Sequence, residues 1–278
     1  MEGFMGQVLF VVWRESVEAL LVIGILFTWI VGRPDSRRWL PWLWGGVALG
    51  LAGAVALGLL ILFAGEVLSE SAQTLFQTGL MLIACALIVQ MVVWMRRHGR
   101  TLKREMHTAL ESQAGRSHGW GVLLLSAIAV VREGSETVVF LYGIGQHLVP
   151  FEFVLATVAG LALAGLTFVL LQLGGKYVSW RWFFRVTEVL LLLLGAAMLM
   201  SAVDNLLSLE ILPAIVDPLW DSSAFINDGT AGGGLIASFT GYRAYPALTS
   251  LLIYLAYWAL VIVLMRMPRA EERKPVHA

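Results

Sequence analysis

Cysteine is nearly absent: Cys85 is the only one in 278 residues, and it lies inside an apolar run. A single thiol excludes an internal disulfide framework, a cysteine-rich zinc site and a cysteine-ligated cluster. Charge is also scarce, at 14% of residues against about 25% in an ordinary soluble domain. The 19 basic and 19 acidic residues cancel, so nothing favours a polyanion and no nucleic-acid partner is expected. Lysine is the rarest of the charged types: Lys103, Lys176 and Lys274 are the only ones and none lies in an apolar stretch, which removes the amine that a retinal-type Schiff base would need. The five histidines (98, 107, 118, 147 and 277) fall outside or at the ends of those stretches. A di-histidine haem site and a histidine-based zinc site are therefore not expected. There is no His-Glu-x-x-His segment and no nucleophile–histidine pairing at membrane depth, so an enzyme is not expected.

What the chain has in abundance is apolar surface. Hydrophobic residues make up 59% of it and the mean hydropathy is +0.80. A bilayer core of about 30 Å needs roughly 20 apolar helical residues to cross it. Seven stretches qualify, at about 4–31, 40–65, 72–95, 119–142, 151–173, 183–203 and 245–265. The expected fold is all-α: one polytopic membrane domain of seven transmembrane helices in the plasma membrane, the inner membrane of a bacterium. All eight prolines fall at span ends or in connections, where a missing N–H costs least. The first stretch has no basic leading region and carries charges in its middle, unlike a cleavable signal peptide.

Basic residues orient the chain. Sixteen of the nineteen lie in the connections after spans 1, 3 and 5 and in the tail, and only Arg243 lies on the opposite side. The N-terminus is expected outside and the C-terminus inside. Tryptophans 29, 39, 42, 44, 94, 120, 180 and 182 gather near the inner interface as an aromatic belt. The outer side collects nine acids: Glu2, Glu66, Glu70, Glu152, Asp204, Glu210, Asp217, Asp221 and Asp228. Positive-inside bias alone leaves acids outside, and the same field also gathers cations at an outer mouth. The long external connection, about 204–244, holds five of these acids and a glycine-rich run, 229–234, read as flexible. It suits either an ordered lid or an acidic docking surface. Residues 100–114 place Leu102, Met106, Ala109 and Leu110 at helical spacing among charges, as in a short surface helix.

The decisive feature is a pair of charged segments in mid-span. Span 1 contains Arg14-Glu15-Ser16-Val17-Glu18 and span 4 contains Arg132-Glu133-Gly134-Ser135-Glu136. Each such ionisable group costs roughly 2.5–3.5 kcal/mol at mid-bilayer on insertion scales. On a helix the two glutamates, three apart, share a face, and the arginine reaches the second one four residues on. Two facing motifs give four carboxylates and two guanidinia, a net charge of −2 if all are ionised. The hydroxyls of Ser16, Ser135 and Thr137 stand beside them. Oxygen donors of this kind suit a hard, highly charged cation. The alternatives are self-neutralising ion pairs that glue helices together, and a proton relay.

The two motifs lie 118 residues and three spans apart, so their helices run in opposite directions. That predicts an inverted repeat, with about 1–95 as repeat 1 and 119–203 as repeat 2. They are joined by a cytoplasmic connection, 96–118, and followed by the external connection, 204–244, and a seventh helix, 245–266. Midplane sites at such repeat interfaces are common in transporters. Span 2 carries Gly46, Gly50, Ala54 and Gly58, and span 5 carries Ala156, Gly160 and Ala164, small residues at four-residue spacing that permit close helix contact. Glu188, near the inner end of span 6, is read as an interfacial residue beside Arg185 or Arg181, or else as an exit-side ligand.

Arg-Glu-x-x-Glu in spans 1 and 4 of a seven-span chain resembles the oxidase-dependent iron permeases, the fungal high-affinity iron permease and the bacterial Efe-type iron permease. The resemblance covers essentially the whole chain. It implies iron import across the plasma membrane, with Glu15, Glu18, Glu133 and Glu136 as metal ligands along the path and Arg14 and Arg132 as their companions. Iron would be cargo, expected as ferric iron delivered by an external oxidase-type partner, and no cofactor is expected to be bound permanently. Fungal members work with a multicopper oxidase, and Efe-type members with a periplasmic cupredoxin-like protein and a haem peroxidase. Two departures stand out. The third position of the first motif is Ser16 where many relatives have glycine, and the fungal external Asp-Ala-Ser-Glu motif is absent. Outer capture of metal would then fall to Glu66, Glu70, Asp204, Glu210 or Asp217. Some relatives are associated with lead uptake, so a carrier of another metal, or a proton- or cation-coupled carrier of another solute, is the alternative.

Overall fold

The structure is a computed structural model that describes residues 2–33, 36–98, 119–145, 148–173 and 180–267. Among these residues there are eight helices and no strand: α1 (Glu2–Val31), α2 (Ser36–Val67), α3 (Glu70–His98), α4 (Trp120–Gly145), α5 (Pro150–Leu173), α6 (Trp180–Ser208), α7 (Ala231–Thr240) and α8 (Leu248–Arg266). Five of them, α2, α3, α5, α6 and α8, are long and apolar enough to cross a membrane. The other two long helices, α1 with 30 residues and α4 with 26, are the ones with three charges in their middles. The surface helix expected at 100–114 lies outside the described residues.

Helix α2 starts at Ser36, before the expected 40, so Pro41 sits inside it rather than in a connection. Its ring removes one bond, to the carbonyl of Arg37, just past the first turn, where the helix is least dependent on it. Pro150 opens α5, where its missing N–H would have had no intrahelical partner.

The small-residue stripe of α2 lies flat against α4, and the two helices run parallel. Gly46 meets Ser126, Gly50 meets Val130, Ala54 meets Gly134 and Gly58 meets Val138. Each position is about one turn further along both helices, which keeps the backbones close over about three turns. Helix α1 pairs with α5 in the same way: the Leu9 carbonyl and Val12 press on Gly160, Trp13 Nε1 donates to Thr167 Oγ1 at 2.9 Å, and Gly24 meets Phe168. Helices α3 and α6 pair antiparallel. Asn205 Nδ2 donates to Thr78 Oγ1 at 3.1 Å, Ile88 meets Gly195, and Arg96 pairs with Glu188.

At the centre α1 crosses α4 in the opposite sense. Leu26 and Ile30 near the end of α1 pack with Val122 near the start of α4, and the two mid-helix motifs meet. Helix α8 packs on α6, where Tyr257 donates its hydroxyl proton to the Leu192 carbonyl at 2.7 Å.

Within the connection from 209 to 247, most of the run expected to be flexible, 229–234, is helical. Three of the glycines expected to be mobile, Gly232, Gly233 and Gly234, form the start of α7, whose first turn is capped by Thr230 accepting from the Gly233 amide at 3.2 Å. Gly241 ends it in the left-handed region (φ 75°) with its N–H on the Ala237 carbonyl. Small residues are needed because α7 lies against the start of α1. A Cβ on Gly3 would stand 2.5 Å from Ser238 Oγ, and one on Gly233 would stand 1.9 Å from the Asn227 carbonyl oxygen. Phe239 stacks edge-on to Phe10 at 6.1 Å, and Gln7 Nε2 donates to the Ser238 carbonyl. The rest of the connection is tied to itself: the Leu219 amide bonds the Pro246 carbonyl, that of Ser222 bonds the Ala244 carbonyl, and Asp228 accepts from the Ala244 amide.

Candidate functional site

Both motifs obey helix geometry. Arg14 NH2 pairs with Glu18 four residues on, and Arg132 Nε reaches Glu136 Oε1 at 3.2 Å across the same interval. Arg14 NH1 also contacts Glu15 Oε1 at 2.9 Å, and Arg132 lies 3.9 Å from Glu133 Oε1. Crossing α1 over α4 then brings carboxylates of both helices together. Glu15, Glu133 and Glu136 each offer an oxygen within 4.8 Å of the other two. Glu18, one turn further along α1, is held by Arg14 and stands outside that trio.

Glu15, Glu133 and Glu136 are buried, and Glu15 Oε2, Glu133 Oε2 and Glu136 Oε2 accept no hydrogen bond. Buried carboxylate oxygens without donors are costly unless a cation comes to them. With two guanidinia for four carboxylates, the ionised cluster would carry a deficit of two positive charges. Ser135 Oγ and Thr137 Oγ1 donate to the Arg132 and Glu133 carbonyls of their own helix, both at 2.8 Å, so their protons are committed to backbone.

The two motifs match in sequence pattern but not in surroundings. The Arg14 side chain is 3% exposed and that of Arg132 is 43% exposed. Arg14 is enclosed by α3, donating to Met91 Sδ at 3.0 Å and Met95 Sδ at 3.5 Å. Arg132 lies over the Trp94 ring, 4.9 Å from its centroid. The sequence reading missed these three α3 residues as neighbours of the motifs. The available signal was their spacing: 91, 94 and 95 fall on one helical face.

Other expected positions are scattered. Glu66 and Glu70 are exposed on either side of the α2–α3 turn, and Glu210 and Asp217 are exposed after α6. Asp204 Oδ2 accepts from Arg243 Nε at 2.8 Å. Glu188 pairs with Arg96 of α3 across the antiparallel α3–α6 packing, a partner the sequence reading did not name, while the Arg181 side chain lies outside the described residues. Among the described residues none of these acids joins a second metal-like cluster.

Residues 5–274 match the Iron permease FTR1 family. The ferrous iron permease EfeU of Escherichia coli O6:H1 is 28% identical over 260 residues, covering 93% of this chain and 94% of that protein. The ferrous iron permease EfeU of Shigella sonnei is 28% identical over 257 residues, 92% of this chain and 93% of its own. That of Yersinia pestis is 24% identical over 260 residues, covering 93% and 92%. No solved structure matches. With five apolar helices long enough to span and a match over nearly its whole length, the chain belongs to the iron permease FTR1 family and is a multi-pass membrane transporter of iron.

Proposed function

We propose that the protein imports iron across the plasma membrane through the carboxylate cluster where α1 crosses α4. The observation that carries the reading is the meeting of Glu15, Glu133 and Glu136 within 4.8 Å, buried and each with an undonated oxygen. Glu18 takes the ion one turn along the path, and Arg14 and Arg132 hold the carboxylates until it arrives. The relatives' names specify ferrous iron. For this chain we assign the oxidised ion, because an all-carboxylate donor set favours the harder, more highly charged cation. Iron is cargo and not a resident cofactor.

The chain crosses the bilayer seven times, N-terminus outside, as a 3+3 inverted repeat followed by α8. Exchanging α1 with α4, α2 with α5 and α3 with α6 carries the parallel pair α1–α5 onto α4–α2, and carries the pairs α3–α6 and α1–α4 onto themselves. That packing pattern supports the repeat. The ordered connection around α7 faces outside and receives iron from an external iron-oxidising or iron-delivering protein, such as a cupredoxin-like protein, a haem peroxidase or a multicopper oxidase. Its exposed Glu210, Asp217, Asp221, Trp220 and Phe225 support this role.

The test is uptake into proteoliposomes of radiolabelled ferric citrate, of ferrous iron under ascorbate and of a panel of other metals. Glu15→Gln, Glu133→Gln and Glu136→Gln should each lower iron uptake more than tenfold while membrane insertion is unchanged. Wild-type rates in all three variants would overturn the site. A preference for ferrous iron or another metal would overturn only the choice of ion.

A further inference from the structure

The motif arginines pose a physical problem that the motifs themselves do not solve. Each guanidinium occupies carboxylate oxygens that the transported cation needs, so binding the ion releases both: Arg14 into a buried site and Arg132 into a half-exposed one. An unpartnered buried guanidinium is costly. One turn of α3 meets both. Met91 and Met95 place their thioethers against NH1 and NH2 of Arg14, the same two nitrogens that hold Glu15 and Glu18. Trp94, between them on the same face, lies under the Arg132 guanidinium, which contacts Glu133 and Glu136. All three acceptors are neutral, so they hold the cationic groups without altering the net charge of the carboxylate cluster. A ring face attracts a guanidinium even at a half-exposed position such as that of Arg132, and a thioether sulfur is a weak acceptor. The turn is itself anchored to α6, because the next residue, Arg96, pairs with Glu188.

We propose that Met91, Trp94 and Met95 form a neutral seat for both arginines, which takes over the guanidinia when the cation takes their carboxylates. They are positioning residues that act through Arg14 and Arg132 and do not touch the ion. The inference rests on the reading of the carboxylate cluster as the transport site. Without the seat each arginine falls back on its glutamates and competes with the cation. The apparent affinity drops while the maximal rate is retained.

The experiment is the concentration dependence of radiolabelled ferric citrate uptake in proteoliposomes made with the full chain. Trp94→Leu should raise KM about fivefold with the maximal rate within about twofold, and Trp94→Phe, which keeps a ring, should restore most of the loss. Met91→Leu combined with Met95→Leu keeps the packing volume and removes both sulfurs. It should raise KM by about threefold or more, and it carries the test alone if Trp94→Leu does not accumulate in the membrane. An unchanged KM in the methionine pair, or a Trp94→Phe variant as impaired as Trp94→Leu, overturns the seat. Glu136→Gln run beside them separates the two ideas. If it abolishes uptake while the seat variants behave as wild type, only the seat fails; if it transports normally, the site itself fails.

Discussion

Replacing Gly50 by alanine adds one methyl group inside the close α2–α4 contact, one turn from Glu133. The new Cβ would stand 2.6 Å from Val130 Cβ and 3.0 Å from the Ala127 carbonyl oxygen. Carbon atoms pack best at about 3.5–4.0 Å, so the two helices are about 1 Å too close for it. Neither neighbour is the end of a flexible side chain: one is a branch point and the other is backbone. Helix α4 must therefore move, at a cost of about 1–3 kcal/mol for overpacking. Val130 lies one turn before Glu133, so the displacement is carried to the carboxylates. A misplacement of about 1 Å at a reacting site costs up to about 10²-fold in rate, and iron uptake should fall at least tenfold. The assay pairs thermal melting in detergent with uptake normalised to inserted protein. Controls come from the same residue type. Gly165→Ala meets nothing within 4 Å, and Gly58→Ala meets Val138 at an ordinary 3.6 Å; both should melt and transport as the wild type does. Equal effects at Gly50, Gly58 and Gly165 would refute the argument that this stripe sets the position of α4.

Two further outcomes test the surrounding packing. Thr230→Ala removes the cap on the Gly233 amide and should cost about 1 kcal/mol locally, seen as faster hydrogen exchange across α7 with exchange in α4 unchanged. Tyr257→Phe removes the hydroxyl bonded to the Leu192 carbonyl at 2.7 Å and should lower the melting free energy by about 1 kcal/mol, with iron uptake kept because α8 lies away from the carboxylate cluster.

The connection between α6 and α8 shows how composition can mislead. A glycine-rich run at 229–234 reads as flexible, yet residues 231–234 begin α7, because small residues are what allow a helix to lie directly on the start of α1 and on the Asn227 turn. The helix lies against both α1 and α6, with Phe239 edge-on to Phe10 and Gly241 against Met200. Lone glycine counts carry no information on which of these roles a glycine plays.

From the order of residues alone came the long apolar helices, the family resemblance and the pairing inside each motif: Arg14 to Glu18 and Arg132 to Glu136 follow from helical rise and turn, which are local and the same in every α-helix. Tertiary structure decided which carboxylates converge, that Glu15 joins Glu133 and Glu136 while Glu18 stays with Arg14, and that one arginine is enclosed by thioethers while the other rests on an indole. The rotation and depth of one helix against another depend on close packing between residues far apart in the chain, such as Gly50 on Val130 and Leu9 on Gly160. No periodicity within a single helix encodes that register.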